Sequence, residues 1–169
     1  MALDLSNLTV LIADDSRSMR SLIRDILKSL GVKYIHEVAS GAAAFDLLLC
    51  TQIDIIIVDL HMQPVNGVEL LQWLRLSPKS PNPYIPVIMV TGDSTRAMAQ
   101  IARDVGISAF IAKPMTTRNL VAKLMFVLKD NRKFIRAKTY AGPDRRFRVN
   151  NGLPKAGRRS SDAKKRIKV

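Results

Sequence analysis

Ile55, Ile56, Ile57 and Val58 stand in an unbroken row between Asp54 and Asp59. Successive side chains of a strand point to opposite faces, so a strand apolar at every position must be covered on both sides. That rules out an antiparallel sheet with one wet face for this segment. What remains is a central parallel strand between layers of helix, and 169 residues are enough to build one such domain.

The rest of the chain alternates around this strand. Leu8–Ala13 reads as a short apolar strand ending in Asp14 and Asp15. Met19, Leu22, Ile23, Ile26, Leu27 and Leu30 then recur at helical spacing, with Gly31 as the stop. Tyr34–Ala39 is a second strand, followed by a helix from about Ala42 to Cys50. After the third strand, Asp54–Leu60, a helix opens at Gly67 and runs through Leu76. Ser77–Pro86 holds four prolines and is expected to be loop. Val87–Val90, a helix over Thr95–Val105, and Ile107–Ile111 complete the sheet. Leu120, Val121, Leu124, Met125 and Leu128 mark a last helix, whose spacing carries on into Arg132–Arg136. The expected fold is α/β: a five-stranded parallel sheet in alternating (βα)5, flavodoxin-like order, with right-handed crossovers and a basic, partly disordered C-terminal tail.

The charge divides the chain. Residues 1–130 carry 13 Lys and Arg against 12 Asp and Glu, and residues 131–169 carry 14 against 2. Only the extension calls for an anionic partner. The expected division is a body over 1–130, an arginine-rich segment over 131–150 and a disordered basic tail over 151–169. A lone Cys50 in an apolar stretch reads as a small buried hydrophobe. No apolar run is long enough to span a bilayer and the N-terminus lacks a secretory pattern, so a cytoplasmic location is expected.

In an open parallel sheet, functional groups collect beyond the carboxyl ends of the strands. Asp14 and Asp15 follow the first strand here, Asp59 the third, Thr91 the fourth and Lys113 the fifth. Crowded carboxylates repel unless a cation sits among them, and a hard divalent ion such as Mg²⁺ suits an all-oxygen site. Asp59 can then act as a nucleophile toward a phosphoryl donor, with Lys113 neutralising the transferring oxygens.

These residues, with Met62 and Gly67 after Asp59, Val90-Thr91-Gly92, and Lys113-Pro114, resemble the receiver domain of bacterial two-component response regulators, the single-domain chemotaxis type in particular. The resemblance covers about residues 7–130. It implies a phosphoprotein in a phosphorelay, modified at Asp59 by a histidine kinase. It implies metal binding by Asp14, Asp15, Asp59 and the main-chain carbonyl of His61, phosphoryl contacts from Thr91 and Lys113, and a cis peptide before Pro114. It further implies a switch in which Thr91 moves and Phe110 turns inward, read out on the face of the fourth helix, fifth strand and fifth helix. In one respect the chain departs: the family commonly has proline straight after the position of Met62, whereas Gln63 intervenes here. Catalysis is expected to stop at autophosphorylation and slow autodephosphorylation; a small Mg²⁺-dependent phosphohydrolase is the weaker alternative, since no separate acid–base residue is visible.

The extension has three readings: a solvated tail, nucleic-acid binding through phosphates, or a specific nucleotide site. No helix-turn-helix or zinc-finger spacing supports the second. For the third, Arg132 and Arg136 are four apart, on one face if helical, and Asp144-Arg145-Arg146-Phe147-Arg148 follows. Guanidinium groups fork to phosphate and guanine and stack on bases, an aspartate accepts from guanine, and Tyr140 and Phe147 can stack or anchor. The pattern is similar to the arginine pair of the PilZ family, although the second PilZ element is absent. The whole arrangement resembles alphaproteobacterial chemotaxis-like regulators that bind cyclic di-GMP and act at the flagellar motor. Arg132, Arg136, Asp144, Arg145, Arg146 and Arg148 are its candidate ligands. The alternative is a basic extension that contacts a protein partner, membrane surface or nucleic acid; a further one is an adaptor that follows the nucleotide alone.

Overall fold

The computed structural model describes residues 4–93 and 95–145. Thr9–Ala13 (β1), Tyr34–Val38 (β2), Ile55–Asp59 (β3), Val87–Thr91 (β4) and Ala109–Ala112 (β5) form one parallel sheet in the order β2-β1-β3-β4-β5. The helices are Arg17–Ser29 (α1), Gly41–Cys50 (α2), Gly67–Leu76 (α3), Arg96–Asp104 (α4) and Thr117–Leu128 (α5). β3 lies in the middle and all five of its residues are buried, as the isoleucine row requires. Alternation splits the core in two. Val10, Ile12, Ile55, Ile57 and Val90 meet Ile23 and Leu27 of α1 and Leu120 and Leu124 of α5. Leu11, Ile56, Val58 and Met89 meet Leu48 of α2 and Leu70, Leu71 and Leu74 of α3 on the other face.

Local signals fix where the helices begin. The Ser16 hydroxyl accepts from the Met19 N–H at the start of α1. Asn66 and Glu69 form a reciprocal capping box at the start of α3. Gly67 then lets α3 fold back onto β3, because a Cβ there would stand 2.4 Å from the Asp59 carbonyl oxygen. The chain leaves β1 for β2 on one side and returns to β3 on the other, so the strand order reverses between β1 and β3. That crevice is where Asp14, Asp15 and Asp59 emerge.

Two expectations are corrected. The last helix does not continue into Arg132–Arg136: α5 stops at Leu128, and Phe134–Ala137 (β6) pairs antiparallel with Tyr140–Pro143 (β7). Arg132 and Arg136 therefore do not share a helical face. At four residues, β7 is too short to leave a periodic signature. Finally, Cys50 is exposed rather than buried, its thiol directed at the Asp46 and Leu47 carbonyls.

The hairpin covers the amino ends of β4 and β5, held there by arginines. Arg75, only 1% exposed, donates to the Gly106 carbonyl at 3.1 Å and the Pro83 carbonyl at 2.6 Å, with its guanidinium 5.3 Å from the Phe134 ring centroid. Burial pulls its pKa down to about 10. Gly106 has φ +89, and a Cβ there would sit 2.1 Å from the Ala141 carbonyl oxygen, so the two backbones touch where only glycine fits. Arg132 donates to the Ser108 carbonyl and pairs with Asp130, and Arg145 lies 4.1 Å above the buried Tyr140 ring and pairs with Asp104. No helix among the described residues is long and apolar enough to cross a membrane.

Candidate functional site

Two neighbouring acids on an extended chain would point to opposite faces. Here the chain leaves β1 at Asp14 and bends at Asp15. One carboxylate oxygen each from Asp14, Asp15 and Asp59 consequently falls within 4.8 Å of the others. Asp14 and Asp59 are buried, 1% and 4% exposed, while Asp15 is open to solvent. Asp14 Oδ1 accepts from the Ser16 N–H at 2.8 Å. Asp14 Oδ2 and Asp59 Oδ1 receive no directed hydrogen bond from the protein, although both face the Lys113 ammonium, at 3.6 Å and 3.0 Å.

The electrostatics follow from this crowding. Burial raises the Asp14 pKa above the ordinary carboxylate value; the neighbouring Asp59 and Asp15 charges add to the rise, and the Ser16 N–H and Lys113 oppose it. Burial works against the Lys113 charge, but Asp59 and Asp14 outweigh it and the ammonium pKa ends above normal. Buried carboxylate oxygens without donors, next to a third carboxylate, are a donor set that a hard divalent cation fits.

Thr91 closes β4, fully buried, with its hydroxyl accepting from the Asp93 N–H at 3.0 Å. The Lys113 N–H donates to the Thr91 carbonyl at 2.7 Å, which ties the lysine's loop to the end of β4. The Lys113–Pro114 peptide is cis, and so is Gln63–Pro64. His61 is exposed, in the loop after Asp59. Asp93 is held below the usual carboxylate range, chiefly by the Thr95 N–H and in lesser part by the His61 charge. Phe110 on β5 is half-buried against the core layer of α2 and α3.

Among the described residues, two of the candidate arginines, Arg132 and Arg145, are already engaged by the protein. Arg132 spends its donors on Asp130 and the Ser108 carbonyl and lies over the Phe126 ring. Arg136 projects from β6 and is exposed. Asp144 donates its N–H to the Lys133 carbonyl, and Arg145 is engaged by Asp104 and Tyr140. Arg146 and Arg148, and Phe147 between them, lie outside the described residues. Two arginines carry structural work that spacing did not announce. Arg75 looks like an ordinary surface residue near the end of a helix. Arg20 donates to the Asp14 and Asp15 carbonyls at 2.7 and 3.3 Å.

Comparison with known proteins agrees with this geometry. Chemotaxis protein CheY-3 of Vibrio cholerae is 30% identical over 118 residues, covering 70% of this chain and 89% of its own. A chemotaxis protein CheY homolog of Campylobacter jejuni is 35% identical over 120 residues, 70% of this chain and 91% of the relative. Among solved structures, CheY4 of Vibrio cholerae superposes with a TM-score of 0.65 at 26% identity, covering 71% of this chain and 98% of that one. The response regulator receiver domain family matches residues 10–125, from β1 into α5, a span that includes all three aspartates, Thr91 and Lys113 but stops short of the β6–β7 hairpin. The chain belongs to the response regulator receiver domain family.

Proposed function

We propose that this protein is a receiver switched by phosphorylation of Asp59, which signals by docking a downstream protein. A phosphohistidine of a histidine kinase is the donor. An Asp59 carboxylate oxygen attacks phosphorus, the P–N bond breaks, and the imidazole departs with the electron pair and takes up a proton. An acyl phosphate remains, and water later hydrolyses it. The observation that carries this reading is the set of three carboxylates within 4.8 Å, with Lys113 3.0 Å from Asp59. Asp14, Asp15 and Asp59, with the His61 main-chain carbonyl, would hold Mg²⁺, which when bound neutralises charge on the transferring phosphoryl oxygens. Lys113 and the Thr91 hydroxyl contact that group, and the displacement of Thr91 is relayed to Phe110.

The docking surface is the face of α4, β5 and α5, and the similarity to chemotaxis proteins supports a motility partner such as a flagellar motor component. The body over 1–130 carries the chemistry, and the basic extension, segment 131–150 with tail 151–169, adds an electrostatic contact to the partner. A second reading, cyclic di-GMP as ligand of the segment, is favoured by the exposed Arg136. It has to do without the helical arginine pair, and Arg132 is already engaged.

Acetyl phosphate with Mg²⁺ tests the main reading: one phosphoryl group is expected on the Asp59 peptide by mass spectrometry, and none when the cation is chelated. Rapid turnover of donor without accumulated phosphoprotein would contradict it. Calorimetric titration of cyclic di-GMP into the full chain decides the second reading. Heat that disappears in Arg136→Ala and Arg145→Ala supports it, and no heat at micromolar protein removes it.

A further inference from the structure

Asp14 and Asp15 lie beyond the paired residues of β1, at a bend that leaves their two main-chain carbonyls outside the sheet ladder. Carbonyls released in this way need donors. The structure assigns that role to Arg20: we infer that it is the positioning residue of the metal-binding loop. This rests on the receiver reading and concerns the same site.

Arg20 lies in the first turn of α1, one helical turn beyond the bend. Its Nη1 donates to the Asp14 carbonyl at 2.7 Å and reaches the Asp15 carbonyl at 3.3 Å, so a single nitrogen spans both peptides. The side chain is 17% exposed and is held from behind by Glu37 of β2, whose carboxylate stands 3.8 Å from Arg20 Nε and 3.1 Å from Arg24 Nη1. Arg24 is paired in turn with Asp25. The loop is therefore fixed from both sides: the Ser16 N–H holds the Asp14 carboxylate and Arg20 holds the carbonyls. A planar guanidinium suits this task, because a lysine ammonium lacks the second edge that engages Glu37 while the first engages the loop. Arg20 touches no carboxylate of the cluster. It acts through the peptides that aim them, as outer-shell groups orient metal ligands.

The test is Mg²⁺ titration of the full chain by calorimetry, without phosphodonor, alongside thermal unfolding of the metal-free protein. Arg20→Ala is expected to weaken Mg²⁺ binding roughly 10-fold, in the range for lost outer-shell partners. Arg20→Lys, which keeps one donor, is expected to fall between Arg20→Ala and the parent. With acetyl phosphate, the half-saturating Mg²⁺ concentration should rise by the same factor while the rate at saturating Mg²⁺ stays within about twofold, a split that general destabilisation would not produce. NMR shifts of the Asp14 and Asp15 carbonyl carbons should move in both variants. Unchanged Mg²⁺ affinity in Arg20→Ala, where Asp15→Ala abolishes binding, overturns the inference and leaves the receiver reading standing. Absence of Mg²⁺ binding by the parent protein overturns both.

Discussion

The two ends of the sheet are built from opposite charges and solve opposite problems. At the carboxyl ends of the strands, three aspartates crowd together, two of them facing one lysine, and two buried carboxylate oxygens lack directed donors. At the amino ends, arginines find main-chain carbonyls, aromatic faces and paired acids, and they hold a hairpin against the body. The acidic end is left short of directed donors by the protein's own groups, which suits it to a bound cation. Among the described residues, the buried groups of the arginine end are nearly satisfied internally, Arg75 Nη2 being the exception. An unsatisfied cluster is suited to exchange, and a satisfied one to permanence.

Substitutions can separate the two ends. The largest effect is expected from Asp59→Asn, which should abolish phosphoryl incorporation from acetyl phosphate while the hairpin stays docked, as judged by amide exchange at Ala141 and Gly142. Gly106→Ala should do the reverse. Its Cβ meets the Ala141 carbonyl and its φ is left-handed, so urea unfolding should show a loss of about 3 kcal/mol with Mg²⁺-dependent phosphorylation retained. Loss of phosphorylation in folded Gly106→Ala would show that the ends are coupled.

Arg75→Met is expected to cost about 2 kcal/mol in the same measurement. It orphans the Gly106 and Pro83 carbonyls, but relief of a buried charge offsets part of that loss. The smallest effect belongs to Asp130→Asn, about 1 kcal/mol at neutral pH. Burial works to raise the Asp130 pKa, yet Arg132 outweighs it and holds the carboxyl below its ordinary 3.8. A depressed carboxylate stabilises fully above 3.8 and loses that contribution as pH falls through its folded value. The gap between parent and Asp130→Asn should therefore close on acidification below that range. A gap that persists there would assign the effect to packing.

The acidic end was legible in the sequence because each of its residues follows an apolar run whose length and periodicity locate a strand end. Five such positions, Asp14, Asp15, Asp59, Thr91 and Lys113, then fall on one rim by topology alone. The hairpin was not legible for the opposite reason. Its strands are four residues each, joined through Lys138 and Thr139, and they are stabilised by partners distant in sequence: Phe134 by Arg75 and Ala141 by Gly106. Arginines spaced four apart satisfied a helical template that tertiary contacts overrode. Arg20 escaped notice because its partners are backbone atoms, which carry no residue-type signature, and Cys50 because α2 ends with its thiol side open to solvent.

One cation-binding centre is expected, at the acidic rim and not at the arginine rim. Titrating Mn²⁺ into ¹⁵N-labelled protein and recording paramagnetic broadening tests it directly. Early loss of the amide signals of Asp15, Ser16, Leu60 and Lys113 is expected, reversed by excess Mg²⁺, with Gly106, Ala141 and Gly142 untouched. Broadening at the hairpin end, or uniform broadening with no early set, would contradict it.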